Sequence, residues 1–189
     1  MRIISGKARG TKINTIDNIS TRPTLDRVRE SLFNIIQNEI RDKMILDLFA
    51  GSGALGIEAL SRGAKHCVFC DINPQAVDII NHNLNKTKLD KYATTYLSNY
   101  KKCIKKLSEK NEKIDIAFID PPYKEDLAVI SAIELLKNGI LHKSSTIIIE
   151  TDMVEREKKE LDNNKHFLIY DERKYGRANL LFLRLNEEN

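Results

Sequence analysis

From residue 44 onward, short apolar runs alternate with amphipathic stretches along the chain. Each run has the length of a buried strand, and between the runs apolar residues recur every three or four positions, the spacing of one helix face. This alternation predicts an α/β fold with a mostly parallel sheet and helices on both faces. The seven predicted strands are residues 44–49, 67–70, 93–97, 114–119, 146–150, 167–170 and 180–185.

The last two predicted strands are joined only by residues 171–179. A parallel crossover needs about a dozen residues, usually with a helix, so these strands are expected to form an antiparallel hairpin. The connection shows no helical pattern and carries three basic side chains and the aromatic Tyr175.

The first 43 residues differ in pattern from the rest. Short β-prone pieces around Gly6 and Gly10, within residues 2–15, predict a small hairpin. Thr24 is expected to cap a helix with one apolar face. We therefore predict an extension, residues 1–43, that packs on a core domain of residues 44–189. The apolar face is formed by Leu25, Val28, Leu32, Ile35, Ile36 and Ile40.

The composition limits the classes of protein that remain. A chain of 189 residues that is 41% hydrophobic is long enough for one well-buried core. No apolar run approaches the ~20 residues of a membrane span, and the first residues show no signal-peptide pattern, so we predict a cytoplasmic protein. Cys67 and Cys70 lie in one predicted strand and point to opposite faces, which favours core packing over a metal or redox site. Cys103 stands alone, and we predict no metal site.

The net charge of +4 is modest, but the basic residues are clustered. Such clusters are typical of a protein with an anionic partner, although a solubilising surface explains any one cluster equally well. The lysines within residues 101–110 lie on a predicted crossover helix, where the solubilising interpretation is at least as good.

A glycine-rich loop follows the first predicted strand. Gly51, Gly53 and Gly56 match the pattern GxGxxG between a strand and a helix, where glycines let the backbone turn tightly beside a ligand at the helix N-terminus. Asp71 ends the next strand, twenty residues after Gly51, and can accept hydrogen bonds from both hydroxyls of a ribose. The loop predicts an adenosine-containing ligand; the alternative is a tight turn in which Asp71 only caps a helix.

Asp47 helps to choose between adenosine ligands. A carboxylate four residues before the first glycine is unfavourable beside the pyrophosphate of a dinucleotide. It suits a ligand that carries an ammonium and a sulfonium group. The residues therefore favour S-adenosylmethionine over NAD.

The segment Asp120-Pro121-Pro122-Tyr123 closes the fourth predicted strand. If Asp120 and the Pro121 carbonyl each accept one N–H of an exocyclic base amine, its lone pair is directed at the methyl donor, while Tyr123 stacks on the base. A duplex buries that amine, so the base must be flipped out or presented in a loop. The alternative is an ordinary turn.

These two motifs resemble those of the class I S-adenosylmethionine-dependent amino-methyltransferases. Residues 1–10, 21–34 and 174–176 are in addition similar to the bacterial 16S ribosomal RNA guanine-N2 methyltransferases, with the helix start Arg22-Pro23-Thr24 as the most specific part. The resemblance covers essentially the whole chain. It implies a Rossmann-like fold, S-adenosylhomocysteine as product and, as substrate, a guanine of 16S rRNA in assembled or partly assembled small subunits.

The resemblance also implies residue roles, and we expect a monomer. Asp120, Pro121, Pro122 and Tyr123 are the predicted catalytic residues. At Asn99, many relatives have an acidic residue that contacts the adenine amine. The predicted cofactor-binding residues are Asp47, Phe49, Ala50, Gly51, Ser52, Gly53, Gly56, Asp71, Ile72 and Asn99. The residues predicted to border the pocket and bind RNA are Arg2, Lys7, Arg9, Arg22, Arg27, Arg29, Arg173, Lys174, Tyr175 and Arg177.

Three other functions stay open from sequence. A DNA or RNA adenine-N6 methyltransferase uses a similar tetrapeptide, but for a DNA enzyme the chain leaves no room for a target-recognition domain. A non-catalytic RNA-binding assembly factor needs neither Asp47 nor Asp120. A nicotinamide oxidoreductase uses a similar glycine loop.

Overall fold

The computed structural model describes residues 1–16, 23–122 and 127–186, with the side chains of 23–25 left out. The helices within these ranges are α1 Pro23–Ile35, α2 Ala54–Ser61, α3 Pro74–Thr87, α4 Tyr100–Glu109, α5 Leu127–Lys137 and α6 Val154–Asn164, with a short 3-10 helix at Asp90–Tyr92. The strands are β1 Met44–Asp47, β2 His66–Asp71, β3 Ala93–Leu97, β4 Ile116–Ile119, β5 Thr146–Thr151, β6 Phe167–Tyr175 and β7 Ala178–Leu185.

The strands form one sheet of seven in the order β3-β2-β1-β4-β5-β7-β6. The first five of these pair in parallel, while β7 pairs antiparallel with both β5 and β6. The predicted fold class is confirmed. Strand β1 has β2 on one side and β4 on the other. The crossover from β1 to β2 therefore runs to one side of β1, and the later crossover from β3 to β4 brings the chain to its other side. Open α/β sheets bind ligands at such a switch point, beyond the carboxyl ends of the strands.

The predicted bounds of the connection between the last two strands, residues 171–179, are wrong, although these strands pair antiparallel as predicted. Strand β6 continues to Tyr175 and β7 starts at Ala178, so only Gly176 and Arg177 lie between them. Gly176 has a φ of +63°, as such tight hairpin turns require. The outer half of β6 escaped detection because an edge strand facing water carries polar side chains in place of an apolar run.

Two apolar clusters lie on opposite faces of the sheet. One joins the N-terminal segment, α1, α2 and α3, and the other lies under α4, α5 and α6. Cys67 belongs to the first cluster and Cys70 to the second, as their spacing in one strand predicts. Both are free thiols, as is Cys103, and all three are buried.

The predicted N-terminal hairpin contains a single antiparallel bridge, Arg2 to Lys12, within the described residues. The segment is instead held by buried side chains of α2 and α3. The Glu58 carboxylate accepts hydrogen bonds from the amides of Ile4 and Ser5 at 2.7 and 3.0 Å. The Asn83 side chain accepts a hydrogen bond from the Asn14 amide and donates one to the Asn14 carbonyl. It also donates to the carbonyl of Ser52 in the glycine loop.

Helix α1 begins at Pro23, so the predicted cap at Thr24 is wrong, and proline suits the first helical position because it has no amide to satisfy. The helix ends at Ile35. Ile36 and Ile40 nevertheless have no exposed surface, so the apolar pattern that predicted the helix continues in buried residues beyond its end. No helix in the described ranges is both long and apolar enough to cross a lipid bilayer.

Candidate active site

A cavity of about 1130 Å³ lies at the carboxyl ends of the central strands. Its volume exceeds the usual range of small-ligand pockets, so it has room for two ligands side by side. The N-terminal segment, α1 and the turn of the β6–β7 hairpin also contribute to its wall. The lining residues include Met1, Ile16, Arg29, Asp47, Phe49, Ala50, Gly51, Ser52, Asp71, Ile72, Ser98, Asn99, Tyr100, Asp120, Pro121, Pro122, Glu150, Gly176 and Arg177.

The glycine loop adopts the backbone that its sequence predicts. Gly51 and Gly53 have φ angles of +52° and +75°, in the left-handed region that favours glycine. A Cβ at Gly51 would meet no atom within 4 Å, which leaves free space above this part of the loop. At Gly56, by contrast, a Cβ would lie 2.3 Å from the ring of Phe69. Gly56 therefore allows α2 to pack closely on β2.

Asp47 ends β1 and is only 3% exposed. Its Oδ2 accepts a hydrogen bond from the Gly56 amide at 2.9 Å. Burial raises the pKa of this carboxyl to about 7, with a smaller contribution from the Asp71 charge, although the Gly56 hydrogen bond opposes the shift. A cationic ligand in the cavity would favour the ionised form.

Asp71 ends β2 and holds the glycine loop in place. Its Oδ2 accepts from the Gly51 amide and its Oδ1 from the Asn73 amide, both at 2.8 Å. Asn73 in turn caps α3, as predicted, by accepting from the Gln75 amide. A carboxylate has about four acceptor positions, so Asp71 keeps capacity for ligand hydroxyls. The adjacent Ile72 is 72% exposed, an apolar side chain presented beside this carboxylate.

Asn99 lies at the cavity wall, but its side chain caps α4. Its Oδ1 accepts from the Lys102 amide at 2.9 Å, so the oxygen predicted to contact an adenine amine already has a partner. Two neighbours that the sequence did not single out, Ser98 and Tyr100, also line the cavity. The Tyr100 ring lies 5.8 Å from that of Phe49, and the two rings form an aromatic wall.

The segment predicted to be catalytic, which starts at Asp120, follows β4 directly. Asp120 lies in the cavity wall with its pKa raised well above the usual value, first by burial and then by the charges of Glu150 and Asp47. The Pro121 carbonyl is followed by another proline, which has no amide to donate to it. Within the described residues this carbonyl accepts no hydrogen bond. Tyr123 lies outside the described residues.

Glu150 is a cavity residue that sequence reasoning missed. It lies in β5, where Ile119 pairs with Ile149, so Asp120 and Glu150 are the next residues of two adjacent strands. Burial raises the pKa of Glu150, and its Oε1 has no hydrogen-bond partner among the described residues. The sequence signal was an acidic residue at the end of the run 146–150, but its meaning depends on the strand order.

The predicted RNA-binding residues divide into separate groups. Arg177 lines the cavity at the hairpin turn. Arg27, Arg173 and Lys174 are exposed but do not line the cavity, contrary to expectation. Tyr175 is half-buried against the apolar cluster on the α1 side of the sheet. Arg22 lies outside the described residues.

Arg2, Lys7 and Arg9 do not line the cavity, contrary to expectation. The Lys7 amide donates to the carbonyl of Ser61, at the carboxyl end of α2, whereas the amino end of this eight-residue helix faces the cavity. The two ends are about 12 Å apart. The side chains of Lys7 and Arg9 are exposed. Arg2 is exposed as well, and its guanidinium donates a hydrogen bond to the carbonyl of Gly10.

Arg29 borders the cavity but is 4% exposed. Its Nη2 donates to the Arg2 carbonyl at 2.6 Å and to Asp26 at 3.1 Å. Burial lowers its pKa, and in the described part of the chain its Nε and Nη1 have no hydrogen-bond partner. Arg29 is therefore not part of an outer basic surface.

Comparisons with known proteins agree with this architecture. The family model described as "Conserved hypothetical protein 95" matches residues 1–184. The chain is 38% identical over 154 residues to "Putative rRNA methyltransferase YlbH" of Bacillus subtilis, with 80% of this chain and 83% of the relative covered. It is 37% identical over 153 residues to "Ribosomal RNA small subunit methyltransferase D" of Escherichia coli K12, with 81% and 75% covered.

A solved structure gives the same result for the fold. The structure of "Putative methyltransferase yhhF from Escherichia coli" superposes with a TM-score of 0.83 at 31% identity, and the match covers 98% of both chains. The family match, the sequence relatives and the shared fold all extend over most of the chain. The chain belongs to the Conserved hypothetical protein 95 family, and it has the fold of the class I methyltransferases.

Proposed function

We propose that the protein transfers a methyl group from S-adenosylmethionine to the exocyclic N2 amine of a guanine in small-subunit ribosomal RNA. The observation that carries the proposal is a single cavity that joins the glycine loop and Asp47 to Asp120 and Pro121. The names of the relatives add the ribosomal RNA substrate. We further propose that the protein acts in the cytoplasm, as a monomer, on assembled or partly assembled small subunits.

The residues at the β1 and β2 side of the cavity fit S-adenosylmethionine. Asp47 suits the ammonium and sulfonium charges, Asp71 the ribose hydroxyls and the exposed Ile72 the adenine ring. The space above Gly51 admits the ligand close to the backbone. When bound, this cofactor supplies a methyl group activated by its sulfonium. We propose that no dinucleotide binds here, since Asp47 would face a pyrophosphate.

The residues at the β4 side fit the acceptor base. The Asp120 carboxylate and the Pro121 carbonyl each accept one N–H of the guanine N2 amine, which aligns its lone pair with the methyl group. The amine loses one proton as it gains the methyl group, and Asp120 accepts it. Burial raises the pKa of Asp120, so its carboxylate is a stronger base than an exposed one. Stacking of Tyr123 on the base stays a prediction.

RNA reaches the cavity past the hairpin turn. Arg177 stands at the cavity wall, and Arg173 and Lys174 are exposed on the same hairpin. We propose that these cations contact phosphates around a guanine that is flipped out or held in a loop. We propose that the exposed Lys7 and Arg9, near the other end of α2, contact RNA that lies about 12 Å farther from the cavity.

The proposal is tested by methyl transfer in vitro. Purified protein is incubated with methyl-tritiated S-adenosylmethionine and, separately, small ribosomal subunits, naked 16S rRNA and duplex DNA, and the digested products are identified by mass spectrometry. We expect N2-methylguanosine from one of the ribosomal substrates. Label in N6-methyladenine, or in DNA in preference to RNA, would replace the proposal with the adenine alternative. Binding of S-adenosylmethionine without any transfer would favour a non-catalytic role.

A further inference from the structure

Glu150 and Asp120 form a pair of neighbouring carboxylates in the cavity wall. Adjacent parallel strands lie about 4.8 Å apart, and the register Ile119 to Ile149 puts the next residue of each strand side by side. Both side chains line the cavity. Alternation along the strands gives them the same face, the one that α1 covers, because Phe118 and Ile148 both belong to that apolar cluster.

The pair is short of hydrogen-bond donors. Oε1 of Glu150 is buried and has no partner among the described residues. Among the described residues neither carboxylate has a hydrogen bond from a cationic side chain. Burial raises the pKa of both groups, and the Glu150 charge raises that of Asp120 further. A buried acceptor without a donor is costly, so such a group in a cavity wall marks a position where a ligand donor fits.

The Watson–Crick edge of guanine presents adjacent donors of this kind. Its N2 amine and its N1–H lie side by side, and a carboxylate accepts readily from either. Adenine and 2-aminopurine have a lone pair at N1, which a carboxylate would repel. A carboxylate beside the exocyclic amine therefore accepts from any aminopurine. A second carboxylate beside N1 favours guanine, which has an N1–H, over bases that have a lone pair at N1.

We propose that Glu150 is a specificity-determining residue that accepts the N1–H of the target guanine while Asp120 accepts from its N2 amine. This inference rests on the proposed function and adds to it the means by which the base is chosen. It gives Glu150 a positioning role, with no bond made or broken at its side chain.

The test uses a base that keeps the 2-amine but lacks N1–H. The target guanosine, once mapped, is replaced with 2-aminopurine riboside in 16S rRNA, which is assembled into small subunits. Values of kcat/KM for both substrates are measured with the wild type and with Glu150→Gln, whose amide can donate to the N1 lone pair. The wild type should prefer guanine by roughly ten- to a hundredfold, the effect of one charge-assisted hydrogen bond. The preference should fall at least about tenfold in Glu150→Gln.

Each outcome bears on one claim. The missing O6 of 2-aminopurine affects wild type and variant alike, so it cancels when their preferences are compared. A general structural defect would lower both activities and leave the preference unchanged, and that result would overturn the inference. Glu155→Gln, an exposed residue of α6 outside the cavity, should keep the wild-type preference. A wild type that methylates no guanine would instead overturn the proposed function.

Discussion

At the scale of single residues, the candidate site contains three carboxyl groups in the cavity wall whose pKa values are raised, Asp47, Asp120 and Glu150. Like charges that are buried together disfavour the folded, ligand-free state when they ionise. A cationic cofactor and a base that donates hydrogen bonds relieve this cost. The same residues that destabilise the empty site therefore favour its ligands.

Replacement of Asp120 tests the role of the acceptor carboxylate. Asp120→Asn keeps the shape but removes the charge and the proton acceptor, so kcat should fall at least about a hundredfold. Affinity for S-adenosylmethionine, measured by calorimetry, should stay within about twofold because Asp47 and Asp71 are untouched. Asp152→Asn, at an exposed position outside the cavity, is the matched control. Single-turnover transfer close to the wild-type rate would remove Asp120 from the mechanism.

The pH dependence of cofactor binding tests Asp47. Because its pKa is raised to about 7, the carboxyl is mostly neutral at pH 6 and mostly ionised at pH 7.5. A cationic ligand prefers the ionised form, so affinity for S-adenosylmethionine should increase with pH by up to roughly tenfold over this range. Titration calorimetry at several pH values measures the effect. Asp47→Asn should bind more weakly and with a flat profile; an unchanged slope in this variant would assign the titration to another group.

At the scale of elements, the N-terminal segment depends on one close approach. Gly6 and Gly10 have φ angles of +81° and +82°, so alanine is strained equally at both. A Cβ at Gly6 would lie 1.9 Å from the Ser61 carbonyl oxygen, whereas one at Gly10 would meet nothing within 4 Å. The two positions form a matched pair in which only the packing differs.

Gly6→Ala should therefore destabilise the protein more than Gly10→Ala. The strain common to both is about 1–2 kcal/mol, and displacement of the segment from α2 should add roughly 2 kcal/mol for Gly6→Ala alone. Denaturant unfolding of both variants measures the difference. Equal losses of stability would mean that the segment does not depend on its contact with α2.

The elements differ in how far the sequence predicts them. Apolar runs identify all seven strands, most clearly β1, β2 and β4, because parallel strands with both faces covered are apolar on both faces. The same signal fails for the polar outer half of β6 and extends the predicted face of α1 beyond Ile35, since burial continues in the chain after the helix ends. Glycine and carboxylate positions predict the cofactor side of the site. To place Glu150 in the site, the strand order must be known, and to place Tyr100 there, the position of α4 must be known. The spacing of apolar residues along the chain gives neither.

At the scale of the whole molecule, the strand order brings the two halves of the site together. The carboxyl ends of β1 and β2 carry Asp47 and Asp71, which we propose hold the cofactor. Those of β4 and β5 carry Asp120 and Glu150, which we propose hold the base. The hairpin of β6 and β7 turns back so that Arg177 reaches the same cavity. Residues more than one hundred positions apart in sequence thereby form one site.

The salt dependence of RNA binding tests the proposed approach past the hairpin. Each phosphate contact contributes a slope of about 0.9 or less to the dependence of log affinity on log salt concentration. Arg177→Ala should lower that slope by about one contact, as measured by filter binding of 16S rRNA. Lys101→Ala, on α4, should leave it nearly unchanged. A slope that Arg177→Ala does not alter would mean that this arginine contacts no phosphate.

The central claim is that this protein methylates the N2 amine of a guanine in small-subunit ribosomal RNA. It is tested most directly by mass-spectrometric mapping of methylated nucleotides in 16S rRNA from cells that lack the gene, before and after purified protein and S-adenosylmethionine are added to their small subunits. We predict that one N2-methylguanosine is missing from the mutant RNA and that the wild-type protein, but not Asp120→Asn, restores it. An unchanged set of N2-methylguanosines, or the loss of a methyladenosine in their place, would contradict the account.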